Sequence, residues 1–152
     1  MPNRLHRLEC VFQLYPIYFL TLCTHDRTKI LANPKVNEAF TVFGRNAQRY
    51  GVSPGRYVLM PDHFHALVAF APDSISISKW VKSLKNTLSK ALRHQGVQSP
   101  HWQKDFFDHV IRTEEVYWEK CRYIVENPVT TGLVQRAEDW PFQGEIFSLD
   151  NV

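Results

Sequence analysis

The chain predicts an α+β fold: a ferredoxin-like four-stranded antiparallel sheet in the order βαββαβ, helices on one face, and a further C-terminal helix. Three observations lead there. Short runs rich in β-branched and aromatic residues read as strands, longer segments with apolar residues at helical spacing read as helices, and the two alternate along the chain. Right-handed crossovers convert the order strand, helix, strand, strand, helix, strand, helix into a sheet whose first and third strands are central.

Each element has a local signal. Tyr15 to Thr24 is dominated by β-branched and aromatic residues and reads as the first strand, with an irregular start at Tyr15-Pro16-Ile17. Asn33-Pro34 supplies an N-cap and a proline at the first helical position. Val36, Ala39, Phe40, Phe43, Ala47 and Tyr50 then recur at helical spacing until Gly51, giving a helix from about Pro34 to Tyr50. Arg56 to Met60 and Phe64 to Phe70 are the next strands, joined at Met60-Pro61-Asp62-His63. Alternation puts His63, His65, Leu67 and Ala69 on one face of the second and Phe64, Ala66, Val68 and Phe70 on the other. Trp80, Leu84, Leu88 and Leu92 line one side of a second helix that stops near Gly96. Phe106 to Ile111 is the fourth strand. Thr113 caps a third helix with Glu114 and Glu115 in its positive first turn, and Pro128 predicts its end by Asn127.

Composition bounds what such a fold can do. At 152 residues, 44% hydrophobic and 22% charged, the sequence reads as one folded domain over 1–152. A net charge of +3 permits nucleic acid without demanding it. Cys10, Cys23 and Cys121 form no Cys-x-x-Cys pair, which excludes a zinc knuckle and a readable disulfide framework and suits reduced, packed thiols. Arg4, His6, Arg7 and Glu9 precede any apolar run, so no signal peptide is read. Val11 to Cys23 is too short, and too interrupted by Pro16, to cross a bilayer. The expectation is a cytoplasmic protein with no membrane partner.

His63 and His65 are the sharpest chemical signal. Two apart on a strand, both imidazoles emerge on one face and can reach one ion. The spacing alone is weak, because 7 histidines in 152 positions produce about 0.3 such pairs by chance. Tyr123 and Asn127 are four apart on the third helix and share a face. An amide oxygen beside two imidazoles suits Mg²⁺ or Mn²⁺ better than zinc. A phenol with an ordinary pKa near 10 is about one part in a thousand ionised at pH 7, so a tyrosine nucleophile would gain from nearby positive charge. Lys79, Lys82, Lys85, Lys90 and Arg93 give the second helix a basic surface, fit either for solvent or for phosphates, with Trp80, Trp102 or Phe106 as stacking partners for unpaired bases. No glycine-rich phosphate loop and no Gly-x-Ser-x-Gly elbow occurs. Asp108 and His109 are adjacent on a strand and point to opposite faces, so they cannot both act at one site; structural hydrogen bonds are the expected role.

Taken together, these stretches resemble the HUH-class single-tyrosine transposases, in particular the REP-associated tyrosine transposases of bacteria. The resemblance lies in Val58-Leu59-Met60-Pro61-Asp62-His63-Phe64-His65-Ala66-Leu67-Val68, Ser83-Leu84-Lys85, Trp102-Gln103 and Phe106-Phe107-Asp108-His109. It continues in Tyr123-Ile124-Val125-Glu126-Asn127-Pro128-Val129 and Gly132-Leu133-Val134, and runs from about Tyr18 to Pro141. It implies that His63 and His65 bind the metal, that Asn127 stands where relatives place an amide third ligand, and that Tyr123 is the nucleophile. Attack on a phosphodiester would leave a 5′-phosphotyrosine and a free 3′-hydroxyl. The implied partner is single-stranded DNA with hairpin, REP-like ends. The implied assembly is a monomer, as expected of the REP-associated group, or a homodimer, as in insertion-sequence relatives that exchange the tyrosine helix. Thr130-Thr131 departs from the Arg-Ala pair of many relatives, so a phosphate contact from that arginine is absent here. Two other functions fit the same residues: a non-catalytic ferredoxin-like nucleic-acid-binding regulator, and a small metal-dependent hydrolase that acts through bound water and forms no covalent adduct.

Overall fold

Residues 15–149 are described by the computed structural model; the readings of Arg4, His6, Arg7, Glu9 and Cys10 lie outside them. Strands β1 (Ile17–Cys23), β2 (Val52–Leu59), β3 (His63–Phe70), β4 (Phe107–Ile111) and β5 (Gln143–Glu145) form one sheet. Helices α1 (Pro34–Asn46), α2 (Ile77–His94) and α3 (Glu114–Thr130) complete the element set, with short 3-10 turns between them. The sheet order is β4-β1-β3-β2-β5 and every pairing is antiparallel. β1 and β3 are therefore interior, as the βαββαβ order requires. Among the described residues no helix is long and apolar enough to cross a membrane.

Each helix begins where its cap residue allows. Asn33 Oδ1 accepts from the Val36 amide at 3.1 Å, the Ser76 hydroxyl from Lys79 at 3.2 Å, and the Thr113 hydroxyl from Val116 at 3.2 Å. Gly51 and Gly96 carry the left-handed φ that stops the chain after α1 and α2. Period-two alternation then builds a core on each face of the sheet. Leu20, Leu22, Phe64, Ala66 and Val68 meet Val36, Phe40, Trp80, Leu84 and Leu88 of α1 and α2. On the opposite face Ile17, Phe19, Leu67 and Ile111 meet Tyr117 and Ile124 of α3. Among the described helices, α3 is the one on that side of the sheet, with Leu149 and Trp140 packed there too.

Three boundaries differ from expectation. A fifth strand, β5, pairs Gln143–Glu145 with Arg56–Val58; three residues centred on Gly144 carry no alternation to announce it. β2 begins at Val52 rather than Arg56, because a register shift between Pro54 and Tyr57 absorbs the proline that lacks an N–H donor. α3 does not stop at Asn127. It runs through Pro128 to Thr130, closed by Thr131 N–H to Asn127 O at 3.1 Å and Leu133 N–H to Pro128 O at 2.9 Å. So near a helix end, a proline removes one donor while the remaining bonds hold the turn. That continuation keeps Asn127 helical and 5% exposed, facing the sheet.

Candidate active site

The turn between β2 and β3 fixes the first histidine. Met60 N–H donates to His63 O at 2.8 Å, the Ile30 and Leu31 amides donate to Pro61 O, and Thr24 N–H donates to Asp62 O at 3.0 Å. Pinned from both sides, the turn delivers His63 at the first position of β3. His65 follows on the same face, and the two rings stand 4.8 Å apart between centroids.

Each imidazole is held through Nδ1. His63 Nδ1 lies 2.8 Å from Asp62 Oδ1, and His65 Nδ1 lies 2.9 Å from Thr21 Oγ1 on the neighbouring strand. With the ring protons on Nδ1, both Nε2 atoms present lone pairs. His63 Nε2 faces Asn127 Oδ1 at 3.3 Å; in the Nδ1–H tautomer both are acceptors, and in the other Nε2–H donates to the amide oxygen. Asp62 is held in turn by Arg27, whose Nε donates to Oδ2 at 3.1 Å. Burial pushes the Asp62 carboxyl up, but the hydrogen bonds from Arg27 and His63 outweigh it and keep its pKa below the ordinary value. Arg27 and Asp26 both take left-handed backbone conformations, at φ 53° and 54°, which non-glycine residues rarely adopt.

Tyr123 stands over this pair from α3. Its ring lies 5.4 Å from His65 and 6.0 Å from Phe19, both edge-on, and the residue is 49% exposed. Lys120, one turn earlier on α3, brings Nζ to 5.8 Å from the Tyr123 ring and 4.9 Å from Phe19. His65 lies flat against Phe19, 5.0 Å away. Burial, followed by the charges of His63, Lys120 and Arg27, pushes its pKa down to about 3, so the ring is a neutral donor of its lone pair.

The arrangement fits a divalent cation. His63 Nε2, His65 Nε2 and Asn127 Oδ1 supply two imidazole nitrogens and a hard amide oxygen, a donor set that suits such an ion. Among the described residues no group of three or more His, Cys, Asp and Glu side chains forms a metal cluster, so the amide is the third protein donor at hand.

The structure brings together four of the residues singled out in the sequence: His63, His65, Tyr123 and Asn127. The basic helix stands elsewhere. α2 packs on the opposite face, with Lys79, Lys82, Lys90 and Arg93 exposed. Lys82 and Lys85 reach a groove shared with Trp102, Gln103, Lys104 and Phe106. Lys85 is partly spoken for, since its ammonium donates to Gln103 O at 2.9 Å, and burial lowers its pKa. Of the three proposed stacking aromatics, Trp80 is closed off, while Trp102 and Phe106 are half-buried and line that groove. Trp80 is 1% exposed in the core, and Trp102 Nε1 donates to Ser89 Oγ at 2.9 Å while its ring packs on the core. Phe106 also packs against that core. Asp108 and His109 point to opposite faces and are both exposed.

Sequence reasoning missed Asp62, Arg27, Thr21 and Lys120. Lys120 had a readable signal, the i, i+3 spacing to Tyr123. Thr21 and Arg27 had none, because only strand register and the left-handed turn bring them to the histidines.

A His-x-His strand thus lies at the centre of an antiparallel sheet, under a helix that presents a tyrosine. The chain belongs to the family described as Transposase IS200 like, which it matches over residues 10–127, and which is a family of DNA-processing enzymes. It is 26% identical over 136 residues to a Haemophilus influenzae protein named for the REP-associated tyrosine transposases, covering 83% of this chain and 77% of that one. In fold it is similar to a REP-associated tyrosine transposase solved with a REP hairpin, at TM-score 0.66 and 24% identity, over 86% of this chain and 76% of the other. It is also similar to a Deinococcus radiodurans R1 protein described as a transposase, at TM-score 0.55 and 21% identity, covering 74% and 90%.

Proposed function

We propose that this transposase is a single-stranded DNA nuclease and strand transferase with Tyr123 as nucleophile, acting near hairpin ends. One observation carries the reading: side chains from β3 and α3, about sixty residues apart in sequence, converge within 3.3 Å for His63 and Asn127 and 5.4 Å for His65 and Tyr123. The hairpin is taken from the relatives, one named for REP elements and one solved with a REP hairpin.

In the reaction, Tyr123 Oη forms a bond to the scissile phosphorus and the bond from phosphorus to the 3′ oxygen breaks. The phenolic proton leaves to solvent and the departing 3′ oxygen takes one up. A 5′-phosphotyrosine and a 3′-hydroxyl result, and attack by another 3′-hydroxyl reverses the step and joins strands. Half-exposed Tyr123 is accessible to a strand, and the Lys120 ammonium, 5.8 Å from its ring, is a cation at hand for the strand's phosphates. His63, His65 and Asn127 would hold Mg²⁺ or Mn²⁺, which when bound supplies the positive charge that draws electron density from the phosphate. Asp62 and Thr21 hold the imidazoles in the tautomer this requires.

Tyr123 packs against His65 of its own chain, which supports the reading that the protein acts as a monomer. The test is nicking of an end-labelled hairpin strand with Mn²⁺. The unchanged chain should nick it; Tyr123→Phe and His63→Ala should not, and mixing those two variants should restore nothing. A chain that binds but never nicks would favour a regulator, and nicking that survives Tyr123→Phe would favour a hydrolase using water.

A further inference from the structure

Phe107 is 66% exposed, more than any other large apolar side chain among the described residues. Its position is set by register. Thr21 of β1 pairs with His65 on one side and with Phe107 on the other, so the three form one row across the sheet. Antiparallel partners project from the same face, which puts Phe107 on the side of His65 and Tyr123. Two strand spacings separate it from His65, about 10 Å between Cα atoms. β4 is an edge strand, and no ring contact to Phe107 occurs among the described residues.

The surroundings of the ring are polar. Asp108 and His109 beside it are exposed, and His109 lies on the same face, in register with Phe19. Cations flank the site, with Lys120 over Phe19 and Tyr123 and Arg27 beside His63. A single aromatic in a polar, cationic setting suits a base whose phosphates are held alongside, rather than the apolar patch a protein partner would need.

We propose that Phe107 is a stacking platform for an unpaired base of the strand held at Tyr123, a nucleotide or two from the scissile phosphate. The assignment rests on the nuclease reading above and adds to it the subsite that positions the strand. It places an exposed aromatic on the Tyr123 face of the sheet, where core-bound Trp80 cannot serve and the half-buried Trp102 and Phe106 do not lie.

The test uses the full chain carrying Tyr123→Phe, so that binding is read without cleavage. Hairpin strands carry 2-aminopurine at successive unpaired positions. One position should be quenched on binding; adding Phe107→Ala should remove the quenching and raise Kd roughly 5- to 150-fold, while Phe107→Trp should retain both. On a strand abasic at that position, Phe107→Ala should have no further effect. Unaltered quenching and Kd in Phe107→Ala would overturn the stacking role alone, as would an equal loss on abasic and intact strands. A change in self-association with DNA binding intact would instead assign the ring to a second copy. Failure of the Tyr123→Phe chain to bind any hairpin strand would overturn the proposal together with the nuclease reading beneath it.

Discussion

His65 shows how much of this site is made by its surroundings. Enclosed between Phe19 and Tyr123, with its pKa pushed down to about 3, the ring stays neutral across the physiological range. In the unfolded chain the same ring takes a proton near pH 6.5. Between those values the unfolded state binds more protons, so stability is present above pH 6.5 and drains away as pH falls towards 3. In the metal-free protein, the His65 ring signals in NMR should therefore not titrate between pH 8 and 5; an inflection near 6.5 would contradict the burial. Asp62 acts one contact further out. Asp62→Asn removes the carboxylate that accepts from His63, and Mn²⁺ affinity measured by calorimetry should fall 10- to 100-fold, as for other partners that orient a ligating histidine. Unchanged affinity would show that the carboxylate serves only the turn. The four site residues were readable because strand period two and helix period four are local. Asp62 stands in a legible motif, yet its role depends on Arg27, brought there by a left-handed turn that no spacing encodes.

At the scale of elements, caps and periods were the legible part. Asn33, Ser76 and Thr113 start helices where a side chain can accept from the first turn, and glycine at 51 and 96 ends them. What was not legible came from pairing. Pro54 sits inside β2 because a neighbouring strand tolerates the shift, β5 exists because β2 offers an edge, and Pro128 is carried by hydrogen bonds formed beyond it. The basic helix now divides into distinct roles. Lys82 is exposed on a groove with Lys104, whereas Lys85 is tied to Gln103 O. Lys82→Ala should flatten the salt dependence of single-strand binding by about 0.7 and leave stability unchanged. Lys85→Ala should cost stability as well, by loss of a part-buried hydrogen bond, about 1 kcal/mol in urea unfolding. An unchanged salt slope in Lys82→Ala would make that surface a solvated face only.

In the whole molecule, the sheet separates two functions. α1 and α2 build the larger core on one face, while α3 crosses the other and leaves its tyrosine half open beside the histidine pair. Tyr117, a second tyrosine of α3, is 1% exposed and packed in the core, which keeps it from a DNA strand. The central claim is that Tyr123 forms the covalent link to DNA. Incubation of the unchanged chain with Mn²⁺ and a hairpin strand, followed by denaturing electrophoresis and peptide mass mapping, tests it most directly. The account predicts an adduct that survives denaturation, maps to the peptide containing Tyr123, disappears in Tyr123→Phe and persists in Tyr117→Phe. An adduct on any other residue, or one that survives Tyr123→Phe, would contradict it.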